Sequence, residues 1–257
     1  MHYQARDEFC GVDVAIKFVA RLSCPSNHEA LIARLNELVE VQSRLDHPAL
    51  MRMLQIQEYD GRPVIVSELA EGQGLAEWLN TEGPPTPRVM LEVMRQILGL
   101  LEHAHGAGIA HGQLRTGDVL VCADGRLRVA NLGLAYAQGR VRRADIQGDL
   151  RAAGRLLFTM LLQATRAGNA DSLRNAPVLE AMGAAAARAI APSTPSGYPN
   201  AAAFWDALRC TSDLDAGMRA LRGKTPPRGA AIARVPTLTI RANADGSTSS
   251  SPSVTST

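Results

Sequence analysis

The chain has 257 residues, 46% hydrophobic and 20% charged, enough for one large or two modest domains around a substantial core. A formal charge of +2 leaves no broad field to draw nucleic acid or an anionic membrane, and the Arg142-Arg143 pair reads as a solvated loop. Cys10, Cys24, Cys122 and Cys210 show no C-x-x-C or metal-like spacing, and neither a signal-peptide pattern nor an apolar run near the roughly 18 residues of a membrane span is found, so a cytoplasmic protein without disulfides is expected.

The elements alternate first as strands. "VDVAIKFVA" (12–20) is a β-branched run, and "RPVIVSEL" (62–69) is another, preceded by the turn-like "YDG". Between them Leu31, Leu35, Leu38, Val41 and Leu45 recur at helical spacing until "DHP" stops the helix. After the glycines of "EGQG" (71–74) a long helix is predicted, with Thr86 as N-cap, Pro87 at the first helical position, and Val93, Ile97 and Leu101 on one face. "DVLVCADG" and "RLRVANLG" bracket an Asp124-Gly125 turn and predict a hairpin, and "DLRAAGRLLFTMLLQA" returns to helix. Residues from about 75 to 210 read as mainly helical. The Ser/Thr-rich end, roughly 225–257, reads as a flexible tail with room for a short strand at Thr237 to Ile240.

In that order, "VAIK" (Val14 to Lys17), "RLDHPALMRM", "VIVSELAEGQGLAEWL", the long helix, the loop "HGQLRTGDVLV" (111–121) and "NLG" (131–133) resemble the protein kinase fold. The likeness is to bacterial serine/threonine kinases of the eukaryotic-like type, and it runs from about residue 2 to 209. It implies an α+β, bilobal fold: a β-rich N-lobe over 1–70, truncated so that the first strand and glycine-rich loop have no sequence to form them, a helical C-lobe over 71–212, and the tail over 213–257. His2 then falls where an apolar residue would cover an adenine.

Phosphoryl transfer is mostly positioning and charge stabilisation, so each required part has a place to check. The resemblance implies a nucleotide site of Ala15, Lys17, Glu37, the hinge backbone of Glu68 and Ala70, and Leu120, with Ser67 as a small gatekeeper. Lys17 takes the position of the phosphate-binding lysine. Its helix partner is assigned to Glu37, although the usual spacing back from His47 lands on Leu38, and an ordinary solvated glutamate is the alternative.

The catalytic positions are altered. Gln113 replaces the aspartate that accepts the substrate proton, and a neutral amide cannot do so at neutral pH. Arg115 stands in the place of a lysine, and Gly112 removes an arginine that pairs with activation-loop phosphate. The asparagine of the catalytic loop and the aspartate of D-F-G are exchanged, as Asp118 and Asn131. One carboxylate and one amide oxygen would suffice for weak Mg or Mn binding; the alternative is that Asp118 caps a turn while Asn131 tolerates a loop conformation. The segment from Asn131 to Asp149 is about half the family's usual length and holds no A-P-E, and Gly197 sits where the glutamate's arginine partner would be. Losing both partners of a buried ion pair can be nearly neutral. Asp149 with Gly154 keeps D-x-x-x-x-G, whose carboxylate accepts catalytic-loop N–H groups in the family.

Two readings follow from the resemblance. One is a pseudokinase, a regulatory or scaffolding module of bacterial serine/threonine signalling with little or no phosphotransferase activity and room for residual nucleotide binding, whose partner is an active kinase or a phosphothreonine-binding module; Thr225, Thr237, Thr239 and Thr255 are candidate acceptors in the tail, a solvated linker being the alternative. The other is an atypical enzyme that binds ATP or ADP with Mg or Mn through Lys17 and the Asp118/Asn131 pair and transfers a phosphoryl or nucleotidyl group. A fragment of a larger signalling protein is compatible with either.

Overall fold

The computed structural model describes residues 2–8, 11–19, 25–139, 145–166, 176–191, 197–209 and 239–240. Arg142, Arg143, Cys10, Cys24, Cys210, Thr225, Thr237 and Thr255 lie outside them. The described chain divides into two compact units, one of residues 2–44, 51–70 and 239–240, the other of residues 45–50 and 71–209.

The first unit is a five-stranded sheet with one helix. Strands β1 (His2–Asp7), β2 (Val12–Phe18), β3 (Met53–Tyr59), β4 (Arg62–Glu68) and β8 (Thr239–Ile240) stand in the order β3-β4-β2-β1-β8. All pairs are antiparallel except β1 with β8. Alternation along β1, β2 and β4 buries Ala5, Val14, Ile16, Val64 and Val66 together, and Tyr3, Phe18 and Tyr59 close that cluster edge to face. The expected "YDG" turn is a tight hairpin with Asp60 and Gly61 both at positive φ, the backbone a two-residue connection requires.

Helix α1 (Pro25–Ser43) buries Leu31, Leu35 and Leu38 as the spacing predicts. Near its end the buried position is Gln42 and not Val41, because the Gln42 Oε1 accepts the backbone N–H of Met53 where β3 departs from regular pairing. A polar side chain is retained in the interior there because that donor would otherwise be unsatisfied.

The second unit holds helices α2 (Leu75–Thr81), α3 (Pro87–Gly106), α4 (Leu134–Ala137), α5 (Ile146–Arg166), α6 (Ala176–Ile190) and α7 (Ala201–Arg209), with a small antiparallel sheet of β5 (Gly72–Gly74), β6 (Val119–Cys122) and β7 (Leu127–Val129). Thr86 caps α3 as predicted, its hydroxyl accepting from Val89 N, with Pro87 opening the helix. The apolar stripe of α3, with Val93, Ile97 and Leu101 fully buried, packs into one core with Leu157 and Met160 of α5 and Phe204 of α7. Gly154 lets α5 and α6 approach closely: a Cβ there would sit 2.9 Å from Ala189 Cβ and 3.1 Å from the Ala186 carbonyl oxygen. Residues 45–50 belong here because Val129 N donates to the Ala49 carbonyl at 2.7 Å and Leu50 bridges to Val129.

The short helix α4 had no counterpart in the sequence reading. The strand expected within Thr237 to Ile240 occupies Thr239–Ile240. Among the described residues no helix is long and apolar enough to cross a membrane.

Candidate functional site

The β6–β7 hairpin and the loop before it carry Gln113, Arg115 and Asp118, and α3 and α5 hold them through buried side chains. Gln96 of α3, buried, accepts the Leu127 N–H at 2.8 Å and donates to the Gly125 carbonyl at 3.1 Å and to Glu92 at 2.9 Å. One side chain thereby fixes the hairpin to the long helix. Glu92, also buried, takes a two-pronged bond from Arg95 at 2.6 and 2.9 Å.

Asp149, in the first turn of α5 and 1% exposed, accepts the backbone N–H of His111 at 2.7 Å and of Gly112 at 2.8 Å, together with His105 Nε2 at 2.9 Å. This is the bracing that the D-x-x-x-x-G pattern implied. Gly112 has a φ of 85°, so the position that lost an arginine adopts a left-handed backbone that favours glycine. His111 is buried with its Nε2 on the Ala130 carbonyl at 3.0 Å. Burial first, against the opposing pull of Asp149, holds its pKa below the ordinary histidine value, so the ring is neutral and donates to that carbonyl.

Asp118 and Asn131 are brought together. Asn131 Nδ2 donates to Asp118 Oδ1 at 2.6 Å, while Asp118 Oδ2 accepts the Arg115 N–H at 3.0 Å. Asn131 has a φ of 64°, and the Ala130 N–H donates to the Asp118 carbonyl at 2.8 Å. Asp118 therefore closes the 3-10 turn Thr116–Asp118, and Asn131 adopts the left-handed backbone that asparagine tolerates best after glycine.

Each Asp118 carboxylate oxygen accepts one N–H, and the Asn131 amide nitrogen, not its oxygen, faces the carboxylate, so the pair as it stands is closed on itself. Among the described residues no group of three or more His, Cys, Asp or Glu side chains is placed to hold a metal. Gln113 is half-buried and Arg115 exposed in the same loop, and Leu120 is half-buried on β6.

In the sheet unit, Lys17 and Ala15 share one face of β2, both half-buried, while Val14 and Ile16 point into the core on the other. Ser67 donates to the Ala15 carbonyl at 3.5 Å. Glu68 is engaged by Arg52 through Nε at 3.1 Å and backbone N at 3.4 Å, and its own N–H donates to the Arg52 carbonyl. Ala70, buried, ends this unit. Glu37 lies exposed on α1 and takes part in no ion pair among the described residues, whereas Leu38, the position reached by the family's usual spacing, is buried.

Beside Gly197 an arginine from another helix packs on the neighbouring tyrosine. Arg188 of α6 lies 4.4 Å from the ring centroid of Tyr198 and donates to the Gly197 carbonyl at 3.4 Å, and Tyr198 stacks on Phe204.

Sequence reasoning missed His105, Gln96 and Glu92. His105 was legible: Leu98, Leu101 and His105 fall on one helical face, and a histidine on a buried stripe needs a partner such as Asp149.

Residues 2–150 match the family described as protein kinase domain. The chain is 29% identical over 182 residues to the probable serine/threonine-protein kinase PknB of Lactococcus lactis, covering 62% of this chain and 29% of that protein. It is 32% identical over 135 residues to the serine/threonine-protein kinase PrkC of Bacillus subtilis (52% and 20%), and 33% identical over 147 residues to the serine/threonine-protein kinase PknL of Mycobacterium tuberculosis (56% and 35%). The matched segments span only about a fifth to a third of these relatives.

Proposed function

The chain belongs to the protein kinase family, and from that premise we propose that it is a pseudokinase, a cytoplasmic regulatory or scaffolding module of bacterial serine/threonine signalling with little or no phosphotransferase activity. The observation that carries the reading is the closed pair of Asp118 and Asn131 beside a catalytic loop in which Gln113, a neutral amide, stands in the proton acceptor's place. Kinase catalysis rests on metal-held phosphates and a carboxylate facing the attacking hydroxyl. Here the carboxylate is occupied by an amide and a backbone N–H, and the loop offers an amide where a charge is needed.

The loop is still braced: Asp149 accepts the backbone N–H groups of His111 and Gly112, and His111 bonds the Ala130 carbonyl, while Gln96 holds the hairpin that follows. A scaffold kept rigid while the reacting groups are lost suits a module that presents a surface to an active kinase or a phosphothreonine-binding module.

A second reading keeps ATP or ADP with Mg or Mn at Lys17 and the exchanged pair, and what supports it is the lysine retained in "VAIK" on β2. Thermal shift separates the two. The pseudokinase reading expects no metal-dependent stabilisation by ATP or ADP. A rise in Tm that requires Mg or Mn and is lost in both Lys17→Ala and Asp118→Ala supports the atypical enzyme instead, since a ligand at a hundred times its Kd adds about 2.7 kcal/mol.

A further inference from the structure

We propose that the solvent-facing side of α5 is a docking seam for an acidic amphipathic helix of a partner protein, with Phe158 and Leu162 at its apolar centre and Arg155 and Arg166 at its charged ends. The other side of α5 is fully used: Leu157, Met160, Leu161 and Ala164 enter the core, and Gly154 admits α6. A helix with its apolar stripe on one side is ordinarily polar on the opposite one. Here Phe158 is 45% exposed and Leu162 41%. The two are a single turn apart and so are neighbours on the helix surface. Of the large hydrophobics exposed among the described residues, no others share an element. One exposed hydrophobe needs no explanation, but this pair is set apart by the charges that bracket it.

Arg155 precedes Phe158 by three residues and Arg166 follows Leu162 by four, so the four side chains form one narrow stripe, about 17 Å long at the helical rise. Both arginines are exposed and take part in no ion pair among the described residues, whereas Arg151, one turn earlier, is tied to Asp145 at 3.1 Å. The acidic residue of α5, Asp149, is buried against the catalytic loop. Nothing on the helix itself therefore offsets the positive ends of the stripe.

Charge selects the occupant. With a second copy of this chain, parallel pairing sets each arginine beside its own counterpart, and antiparallel pairing centred on Phe158 and Leu162 sets Arg155 against Arg166. Like charges meet in either direction, which disfavours self-association. A partner helix with the pattern E-x-x-L-x-x-x-L-x-x-x-E satisfies all four positions at once: its leucines cover Phe158 and Leu162, and its carboxylates take the guanidinium forks. A seam of this size suits a transient contact. The inference goes beyond the pseudokinase reading and does not rest on it, since the seam needs neither nucleotide nor metal.

The probe is a fluorescein-labelled synthetic helix carrying that pattern in an alanine and glutamine background, titrated with the full chain and followed by anisotropy without nucleotide. A Kd on the order of 10–100 µM is expected, weakening as NaCl is raised from about 50 to about 300 mM. Phe158→Ser/Leu162→Ser is expected to weaken binding at least tenfold. Arg155→Glu/Arg166→Glu is expected to do the same and to gain binding to a second peptide in which lysine replaces both glutamates, a peptide the unaltered chain binds at least tenfold less well than the first. Both variants alter exposed side chains, and an unchanged urea midpoint by tryptophan fluorescence reports that each is folded. No binding at millimolar peptide, equal binding by either variant, or equal binding of the two peptides would each overturn the proposal. So would a dimer of the chain that Phe158→Ser/Leu162→Ser dissolves, which would assign the seam to a second copy, or binding to phosphatidylglycerol vesicles that both variants lose, which would assign it to a lipid surface.

Discussion

Asp149→Ala is the sharpest probe of how the catalytic loop is held. The carboxylate is 1% exposed and accepts from two backbone N–H groups and from His105, all within 2.9 Å. Hydrogen bonds to a charged group are worth about 1.5–3 kcal/mol each, and the three share one carboxylate, so their losses do not add in full. Alanine also leaves three buried donors without an acceptor, and the expected cost is about 3–5 kcal/mol, as for breaking a buried pair by removing one partner. Both tryptophans, Trp78 and Trp205, lie in the helical unit, so urea unfolding followed by tryptophan fluorescence reads that unit alone. With a slope of about 2 kcal/mol per molar urea the midpoint falls by roughly 2 M. Asp149→Asn keeps one acceptor oxygen but turns an NH2 toward a backbone N–H whichever way it is rotated, and is expected to lose about 2–4 kcal/mol. A midpoint shift below about 0.5 M for Asp149→Ala would refute the bracing role.

Gln96→Leu preserves volume but strands the Leu127 N–H and the Gly125 carbonyl, so about 2–4 kcal/mol is expected to be lost in the same assay, with faster amide exchange at Leu127. Gly154→Val forces side-chain atoms into the α5–α6 contact, where a Cβ alone already meets Ala189 and the Ala186 carbonyl, and is expected to cost at least about 1–3 kcal/mol and lower the Tm. His111 and His47 are both held below the ordinary histidine pKa chiefly by burial. Each is neutral in the folded chain and takes up a proton on unfolding once the pH falls below about 6.5, so their stabilisation is full above that value and declines below it, by at most about 1.4 kcal/mol per pH unit per group. The urea midpoint at pH 5.5 is expected below that at pH 7.5, and an equal or higher one would contradict the assignment.

The fold was legible where periodicity and punctuation coincide. Leu31, Leu35 and Leu38 marked α1, Thr86-Pro87 opened α3, and Asp124-Gly125 closed the hairpin, because local geometry alone dictates each. What the spacing could not give is side-chain satisfaction across the fold. Gln42 took the buried position next to Val41 because Met53, distant in sequence, needed an acceptor, and Gln96 works through a hairpin some thirty residues later. The exchange of Asp118 and Asn131 was readable from the motif, but only three-dimensional contact reveals that the two satisfy each other and that Asn131 sits at positive φ. The assignment of Glu37 rested on choosing between neighbours in a helix, and a one-residue step rotates a side chain by about 100°, from the buried face of Leu38 to solvent.

The most direct test of the pseudokinase account is transfer of labelled γ-phosphate from ATP, with Mg or Mn, to the chain itself and to a general protein acceptor. The account predicts no incorporation above that of Lys17→Ala. Incorporation by the unaltered chain that Lys17→Ala and Asp118→Ala both abolish would contradict it and identify the exchanged pair as working machinery.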